Sequence, residues 1–240
     1  MEIHARNLFK LYGDFPAVQN LTFDVAAGEF VGLLGRNGAG KTTLLKMLAL
    51  LTRPSAGELK FSSGGASFLS GEDDAALRGR IGLLGHNTFL YDELSAEENL
   101  RFYASLYGLA PGGNGQPGLI PAMLERVGLE RFTRELVRNF SRGMRQRLSI
   151  ARLFLPEPEL ILLDEPFNGL DDRATELLEA MLAQATAAGR TIVLCTHQLD
   201  LALKHASRLL ILERGKAAFL GPNHPDHLDE MHEVYRRHAG

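Results

Sequence analysis

The feature that most constrains this chain is a glycine-rich loop placed between a short apolar run and a leucine-rich segment. The loop occupies positions 35–43 and reads GRNGAGKTT, directly after the apolar run at 30–34. Gly35, Gly38 and Gly40 let the main chain curl until several backbone N–H groups point at one anion. A strand, such a loop and a helix in this order predict a site for the phosphates of a nucleoside triphosphate.

Both the backbone and the side chains of this loop are expected to bind phosphate. The helix predicted over 41–52 begins at the loop, so its unpaired N–H groups and positive dipole end face the anion. Lys41 adds a positive charge near the outer phosphates, and the Thr42 hydroxyl is a ligand for Mg²⁺. The predicted nucleotide-binding positions of the loop are Gly35, Arg36, Asn37, Gly38, Ala39, Gly40, Lys41, Thr42 and Thr43. A chance glycine-rich turn is the alternative, and the flanking strand and helix argue against it.

Composition places the chain among ordinary globular proteins. It has 240 residues, 45% of them hydrophobic, and a formal net charge of -3, which argues against a protein that coats nucleic acid. The basic residues between 134 and 152 are expected to form a solvated face. The one cysteine, Cys195, lies in an apolar run, which predicts a buried, unreactive thiol and a reducing compartment. No apolar run is long enough to span a bilayer and residues 1–10 lack signal-peptide features, so we expect a cytosolic chain.

The order of the predicted elements indicates an α/β fold. Strands are expected at 2–9, 21–34, 57–61 and 81–84. Helices are expected at 95–109, where Ser95 and Glu98 form a capping box, and at 119–127, 141–154 and 172–188. Three apolar runs, at 160–163, 191–195 and 209–212, alternate with helical segments. This alternation predicts a parallel sheet that is covered on both faces.

Two adjacent carboxylates, Asp164 and Glu165, end the first of these apolar runs. Two charges at the end of a buried strand cost desolvation energy, so a functional role explains them better than a structural one. In a phosphate-binding fold we expect Asp164 to ligate Mg²⁺ opposite the Thr42 hydroxyl, and Glu165 to act as general base or to position the attacking water. The alternative is a solvated pair at a loop end.

A second candidate anion site lies at residues 139–147, where a helix begins. Ser141 occupies the N-cap position of that helix, and Gly143 permits close approach of the backbone. Two phosphate sites far apart in sequence serve one nucleotide only if the second comes from another copy of the chain. We therefore expect a head-to-tail dimer with two shared sites.

These motifs, taken in order, resemble those of the ATP-binding cassette (ABC) family over nearly the whole chain. In chain order they are an aromatic residue at Tyr12, Walker A at 35–43, the signature segment at 140–144, Walker B at 160–165, the D-loop at 168–171 and the switch histidine His197. The resemblance implies a P-loop NTPase of ABC type, with a RecA-like core that has a mixed sheet, an antiparallel β subdomain and an inserted α-helical subdomain. The implied lobes are 1–85 with 155–220, a helical lobe at 86–154 and a tail at 221–240.

The resemblance also implies roles for individual residues. Tyr12 would stack on adenine, and Ser141 and Gly143 would contact the γ-phosphate of ATP bound by the partner copy. His197 would hold that phosphate and join Glu165 as a catalytic residue. Asp171 of the D-loop is counted among the nucleotide-binding residues.

Three positions depart from the family pattern. The signature segment reads Phe-Ser-Arg-Gly-Met at 140–144 where Leu-Ser-Gly-Gly-Gln is usual, and Asn168 stands in the D-loop where serine or alanine is common. His86 replaces the glutamine expected between the lobes. We expect His86 to be a metal ligand, although imidazole suits hard Mg²⁺ less well than an amide oxygen. The alternatives are that His86 contacts the attacking water or the transmembrane partner, with Asn87 as the substitute ligand.

Residues 84–103 resemble the ATPase subunit of the haem exporter of cytochrome c maturation. The Ser-Arg-Gly-Met sequence also occurs in ATPase subunits of exporters for drugs and other amphiphiles. The expected function is therefore ATP hydrolysis by the cytoplasmic motor of a membrane transporter, peripheral to the membrane and bound to transmembrane subunits. Two alternatives remain: a soluble ABC ATPase acting on nucleic acid or ribosomes, and a P-loop kinase or GTPase, which would lack the Ser-x-Gly helix start and the downstream histidine.

Overall fold

A computed structural model of the chain describes residues 1–71, 74–85, 87–109, 118–224 and 228–239. The chain separates into two compact units. The first unit comprises Met1–Leu83, Glu159–Pro166 and Ala185–Gly240, and the second comprises Leu84–Pro158 and Phe167–Gln184.

Strands and helices alternate along most of the described chain. The strands are β1 (Glu2–Tyr12), β2 (Phe15–Val25), β3 (Phe30–Gly35), β4 (Ala56–Ser63), β5 (Ala66–Leu69), β6 (Ile81–Leu84), β7 (Leu160–Asp164), β8 (Thr191–Cys195), β9 (Arg208–Glu213) and β10 (Lys216–Pro222). The helices are α1 (Lys41–Leu48), α2 (Asp74–Arg78), α3 (Ala96–Leu106), α4 (Leu119–Arg126), α5 (Arg142–Phe154), α6 (Asp172–Ala187), α7 (Leu199–His205) and α8 (Leu228–Ala239).

The strands form an antiparallel sheet and a mixed sheet. The antiparallel sheet has the order β2-β1-β4-β5, and the six-stranded sheet has the order β10-β9-β3-β8-β7-β6. Strands β3, β7 and β8 are buried along their whole length, as expected for parallel strands covered on both faces. β10 pairs with β9 in the antiparallel sense, which makes the larger sheet mixed. The predicted α/β class, with a mixed sheet, an antiparallel sheet and helices, is confirmed.

The prediction of one strand over 21–34 is wrong. β2 ends at Val25 in the antiparallel sheet, and β3 begins at Phe30 in the mixed sheet. A tight turn separates them, in which the Glu29 carboxylate accepts a hydrogen bond of 2.8 Å from the Ala26 N–H. Gly28 takes a φ of 76°, which glycine adopts at little cost. The turn contains one glycine and no proline, so the sequence signals it only weakly.

The core of the first unit brings the carboxyl ends of several strands to one edge. The apolar face of α1, with Leu44, Leu45, Met47 and Leu48, joins the same core as the inward side chains of β1 to β4, β7 and β8. β3, β7 and β8 run parallel, so their last residues Gly35, Asp164 and Cys195 lie at the same edge of the sheet. Ligands of parallel α/β sheets bind at that edge.

The second unit is helical. The predicted capping box at the start of α3 is confirmed, because the Ser95 hydroxyl accepts from the Glu98 N–H and the Glu98 carboxylate accepts from the Ser95 N–H. Asn99, which is fully buried, accepts from the Tyr91 N–H and donates to the carbonyl oxygens of Tyr91, Leu94 and Ser95. The buried amide of Asn99 therefore ties the loop at 91–95 to the first turn of α3.

Two basic residues depart from the predicted solvated face, and the first is Arg147, which is half-buried and donates to the carbonyl oxygens of Val127 and Gly128. Arg134 and Arg138 are exposed as expected, but Arg152 on α5 is only 6% exposed. Its guanidinium lies 5.5 Å from the ring centre of Phe89 and 5.3 Å from that of Tyr103. Burial lowers the pKa of Arg152, and the two aromatic faces compensate for the lost hydration of the cation. Among the described residues, no helix is long and apolar enough to cross a membrane.

Candidate functional site

The loop at 35–43, which we call the phosphate loop, has a backbone that only glycine can adopt at two positions. Gly35 has a φ of 144° and Gly40 a φ of 102°. A side chain at Gly35 would strike the carbonyl oxygen of Leu212, and one at Gly40 would strike that of Ala17. The loop is therefore held between β9 and β2 at a distance that excludes any larger residue.

The positive charge of Lys41 is held inside the phosphate loop. Its Nζ donates hydrogen bonds to the carbonyl oxygens of Gly35 at 2.7 Å and of Arg36 at 3.1 Å, and the residue is 8% exposed. The helix that begins at Lys41 has no side-chain cap and no acidic residue in its first turn. An ammonium group and the unpaired N–H groups of a helix start together suit a phosphate group.

Thr42 and Asp164 meet at the start of α1 and the end of β7. The Thr42 hydroxyl donates to Asp164 Oδ2 at 3.2 Å. Two neighbouring ligands of an octahedral Mg²⁺ with bonds of 2.0–2.1 Å lie about 2.9 Å apart. The pair consists of hard oxygen atoms at close to that separation, so the residues fit a shared magnesium ion.

Glu165 and His197 are in direct contact. The Glu165 carboxylate accepts hydrogen bonds from Thr196 Oγ1 at 3.0 Å and from the backbone N–H of His197 at 2.9 Å. Its Oε1 also lies 2.7 Å from His197 Nδ1, a separation at which a proton on Nδ1 would donate to the carboxylate. Glu165 itself takes an unusual φ of 51°. These contacts aim the carboxylate and leave the other ring nitrogen for a different partner.

Cys195 lies beside Asp164 in the pairing of β7 with β8. It is buried, as expected from its apolar run. Burial raises the pKa of the Cys195 thiol, and the negative charge of Asp164 raises it further. The thiol is therefore neutral at physiological pH and adds no charge to the site.

Tyr12 ends β1 and offers an accessible ring. The residue is 49% exposed, and the Lys10 ammonium lies 5.3 Å from its ring centre. A cavity of about 370 Å³ adjoins the phosphate loop in the same unit. Its lining residues are Arg36, Asn37, Gly38, Ala39, Leu212, Glu213 and Arg214.

In the second unit, the signature segment and the D-loop lie against each other. The Ser141 hydroxyl accepts from the Met144 N–H at 3.2 Å and so caps α5, as the sequence predicted. Asp171 caps α6 by accepting from the Ala174 N–H at 2.8 Å. The other carboxylate oxygen of Asp171 is placed where a side chain at Gly143 would clash with it. The contact depends on the absence of a side chain at Gly143.

His86, the predicted metal ligand between the lobes, lies outside the described residues. Its neighbour Asn87 is described and is exposed.

Sequence reasoning did not connect three residues with the predicted catalytic carboxylates. Thr196 and Cys195 could have been found from the register of β7 with β8, which places Cys195 next to Asp164. Tyr235 on α8 could not, because the tail carries no motif. Burial raises the pKa of Tyr235, and the charge of Glu165 raises it further.

The sequence profile of the family described as "ABC transporter" matches residues 18–168. The chain belongs to the ABC transporter family. The resemblance drawn from its motifs is thereby confirmed, and the chain is an ATP-binding subunit with ATP hydrolase activity.

Relatives of this ABC subunit occur in several bacteria. It is 37% identical to the Nod factor export ATP-binding protein I of Cupriavidus metallidurans over 226 residues, which cover 92% of this chain and 71% of the relative. It is 34% identical to the ABC transporter ATP-binding protein NatA of Bacillus subtilis over 206 residues, which cover 85% of this chain and 81% of the relative. It is 37% identical to the daunorubicin resistance ATP-binding protein DrrA3 of Streptomyces coeruleorubidus over 207 residues, which cover 86% of this chain and 64% of the relative.

Solved structures match the fold closely. An ATP-binding subunit of an ABC transporter superposes with a TM-score of 0.88 at 30% identity and covers 100% of both chains. A dimeric ATP-binding cassette in a post-hydrolysis state bound to ADP and Pi superposes with a TM-score of 0.81 at 27% identity, covering 92% of this chain and 99% of that one. The chain thus has the ABC ATPase fold.

Proposed function

We propose that this chain is the motor subunit of a membrane exporter, in which two copies close head to tail on two ATP molecules. The observation that carries the proposal is the division of the site. The phosphate loop, Asp164, Glu165 and His197 belong to the first unit, whereas the capped start of α5 at Ser141 belongs to the second. A related cassette that is solved as a dimer with ADP and Pi supports the shared site.

In this arrangement the first unit of one copy binds the nucleotide. The phosphate loop surrounds the phosphates, Lys41 neutralises their outer charge and Tyr12 stacks on the adenine. Thr42 and Asp164 would hold Mg²⁺, which would supply positive charge to offset that of the phosphates. His86, or Asn87 in its place, would be a further ligand of the ion.

Hydrolysis then depends on Glu165 and His197. Water attacks the γ-phosphorus, its proton passes to the Glu165 carboxylate, and the bond from the γ-phosphorus to the oxygen that bridges to the β-phosphate breaks. The products are ADP and phosphate. His197 contacts Glu165 through Nδ1 at 2.7 Å. A proton on its other ring nitrogen would let that nitrogen donate a hydrogen bond to the γ-phosphate.

The partner copy completes the site. Ser141 and Gly143, at the start of α5, direct a hydroxyl and helix N–H groups at the γ-phosphate. Asp171 and the D-loop reach the same nucleotide from the second unit. Closing and reopening of the two copies drives transmembrane subunits, and the chain lies peripherally on the cytoplasmic face of the membrane.

The cargo class is proposed from the relatives. Names such as Nod factor export and daunorubicin resistance favour export of an amphiphilic compound. Haem export of the cytochrome c maturation type is a second candidate, favoured by the sequence of residues 84–103. Stimulation of ATP hydrolysis in the complex with its membrane subunits, by haem or by daunorubicin, separates the two.

The shared site is tested by placing a negative charge at Ser141. Aspartate caps a helix about as well as serine, so Ser141→Asp keeps the fold while it repels the γ-phosphate. In a Glu165→Gln background, which retains ATP, we expect the parent to form an ATP-dependent dimer in size-exclusion chromatography and Ser141→Asp to stay monomeric.

Ser141→Asn is the matched control, because it caps equally well without a charge. It should dimerise more readily than the aspartate variant, at an unchanged melting temperature for both. A dimer formed equally well by Ser141→Asp would refute the sandwich.

A further inference from the structure

The signature segment of this chain carries an arginine where the family pattern has glycine. Arg142 is the first residue of α5, directly after the capping residue Ser141. It is exposed, and no acidic residue lies in the first turn of the helix. A cation at a helix N-terminus is unfavourable, since that end already carries partial positive charge. Its presence therefore needs an explanation outside helix stability.

The guanidinium of Arg142 lies directly on the D-loop. It sits against the main chain of Gly169, where any side chain would overlap it. Gly169 has a φ of 73°, so its backbone also favours glycine. A planar guanidinium makes broad contact with a flat peptide surface that a side chain would cover.

A second contact runs in the opposite direction between the same two segments. Asp171 of the D-loop places a carboxylate oxygen against the main chain of Gly143 in the signature segment. Its other oxygen accepts from the Ala174 N–H at 2.8 Å and so ties Asp171 to the start of α6. The signature segment and the D-loop thus each have one charged side chain that contacts a glycine of the other segment. The two contacts join the starts of α5 and α6.

We propose that Arg142 is a positioning residue that holds the D-loop at 168–171 against the signature segment, so that both enter the nucleotide site of the partner copy as one body. This inference rests on the proposed head-to-tail dimer. Ordering the backbone of a loop costs conformational entropy, and a side-chain contact made before the copies meet removes part of that cost from the closing step. A displacement of about 1 Å in such a segment lowers the rate by as much as about 100-fold.

Two single substitutions and their combination test the contact. Arg142→Ala removes the guanidinium, and Gly169→Ala displaces it while the charge stays. We expect each to lower kcat for ATP about tenfold with the KM changed by less than twofold, and the double variant to be no slower than either single one. Arg142→Lys, which lacks the planar fork, should recover only part of the rate.

A second readout does not depend on turnover. Hydrogen exchange of the D-loop backbone in the full chain without nucleotide should be faster in both single variants than in the parent. Arg134→Ala, an exposed arginine of the same basic stretch, controls for loss of charge. Gly64→Ala, at a φ of 60° with no atom near its added carbon, controls for backbone strain. Both controls should match the parent in rate and in D-loop exchange.

The possible outcomes separate the inference from the function on which it rests. If Arg142 instead touched the γ-phosphate, Arg142→Ala would lower the rate, Gly169→Ala would not, and D-loop exchange would be unchanged. Either multiplicative effects in the double variant or unchanged exchange would overturn the positioning role. Failure of the Glu165→Gln parent to dimerise with ATP would overturn the dimer itself, whereas variants that dimerise and turn over like the parent would overturn only this inference.

Discussion

The two units hold their functional residues in different ways. In the first unit, Asp164, Glu165 and His197 follow the ends of buried parallel strands and are joined by hydrogen bonds to side chains, with Thr42 and Thr196 as donors. In the second unit, the signature segment and the D-loop stand at the starts of helices. In these segments the charged side chains of Arg142 and Asp171 contact the backbones of Gly169 and Gly143.

This difference has a physical consequence for function. Strand ends are set by the register of a sheet, so the catalytic carboxylates of the first unit have little freedom to move. The starts of α5 and α6 are joined instead by the exposed side chains of Arg142 and Asp171, whose contacts can be released. The first unit is therefore suited to binding and chemistry, and the second to the contact that forms and breaks as two copies close and open.

The largest expected effect comes from the catalytic carboxylate of the first unit. Glu165→Gln keeps the size of the side chain but removes the base, so we expect ATP turnover to fall by about 100-fold or more while ATP binding persists. Steady-state phosphate release and nucleotide binding by filtration measure the two quantities. Glu176→Gln on the exposed side of α6 is the control and should turn over like the parent.

A residual rate near that of the parent would remove Glu165 from the role of base. It would also remove the reason to assign chemistry to the first unit alone.

Much of the first unit could be predicted because its signals are local. The buried runs that became β7 and β8 end in polar residues, and parallel pairing then requires that those residues meet. The missed turn between β2 and β3 shows the limit of this reasoning, since Ala26 and Gly28 do not interrupt an apolar pattern strongly.

The second unit was harder to predict because its contacts are not local. The caps at Ser95 and Ser141 follow from sequence, as they join residues three positions apart. The contact between Arg142 and Gly169 joins distant segments, and nothing in their sequences indicates it. The burial of Arg152 beneath Phe89 and Tyr103 depends in the same way on tertiary packing.

The next largest effect is on the free energy of unfolding. Alanine substitutions at one glycine of each unit, Gly40 and Gly143, compare the two units directly. At Gly40, with a φ of 102°, the new side chain would strike the backbone carbonyl of Ala17, which cannot move cheaply. We expect Gly40→Ala to lower the free energy of unfolding by about 3 kcal/mol. At Gly143 it would meet only the end of the Asp171 side chain, so the change should stay within about 1 kcal/mol.

Urea unfolding of both variants measures these changes. Gly143→Ala should nevertheless hydrolyse ATP more slowly, because Asp171 is displaced. Equal losses of stability at the two glycines would contradict the difference between the units.

The proposed magnesium ligands of the first unit give a smaller effect. Thr42→Val keeps the shape of the side chain and removes the hydroxyl that lies 3.2 Å from Asp164. We expect the Mg²⁺ concentration for half-maximal ATP hydrolysis to rise about tenfold, and Thr42→Ser to restore it. An unchanged magnesium requirement in Thr42→Val would show that this hydroxyl does not ligate the ion.

The smallest expected effect is on stability and comes from the start of β7, at the opposite end of the strand from Asp164. Glu159 lies just before β7, and Arg80 donates to it at 2.7 Å while Ser63 also hydrogen-bonds to it. Burial alone would raise the pKa of Glu159, but the hydrogen bond from Ser63 and the charge and hydrogen bond of Arg80 lower it below its usual value of 4.5. A lowered pKa in the folded state stabilises the fold above that usual value, and the stabilisation is lost as the pH falls through the lowered pKa.

Glu159→Gln should therefore lower the free energy of unfolding by about 1 kcal/mol at pH 7, and by progressively less below pH 4.5 as the parent carboxylate takes up its proton. Its ATP turnover at pH 7 should equal that of the parent, because the start of β7 lies at the opposite end of the strand from Asp164. Urea unfolding at pH 7 and at about pH 4 measures the difference. A loss of stability that stayed constant or grew at low pH, or a loss of turnover at pH 7, would show that the two ends of β7 are not separate in function.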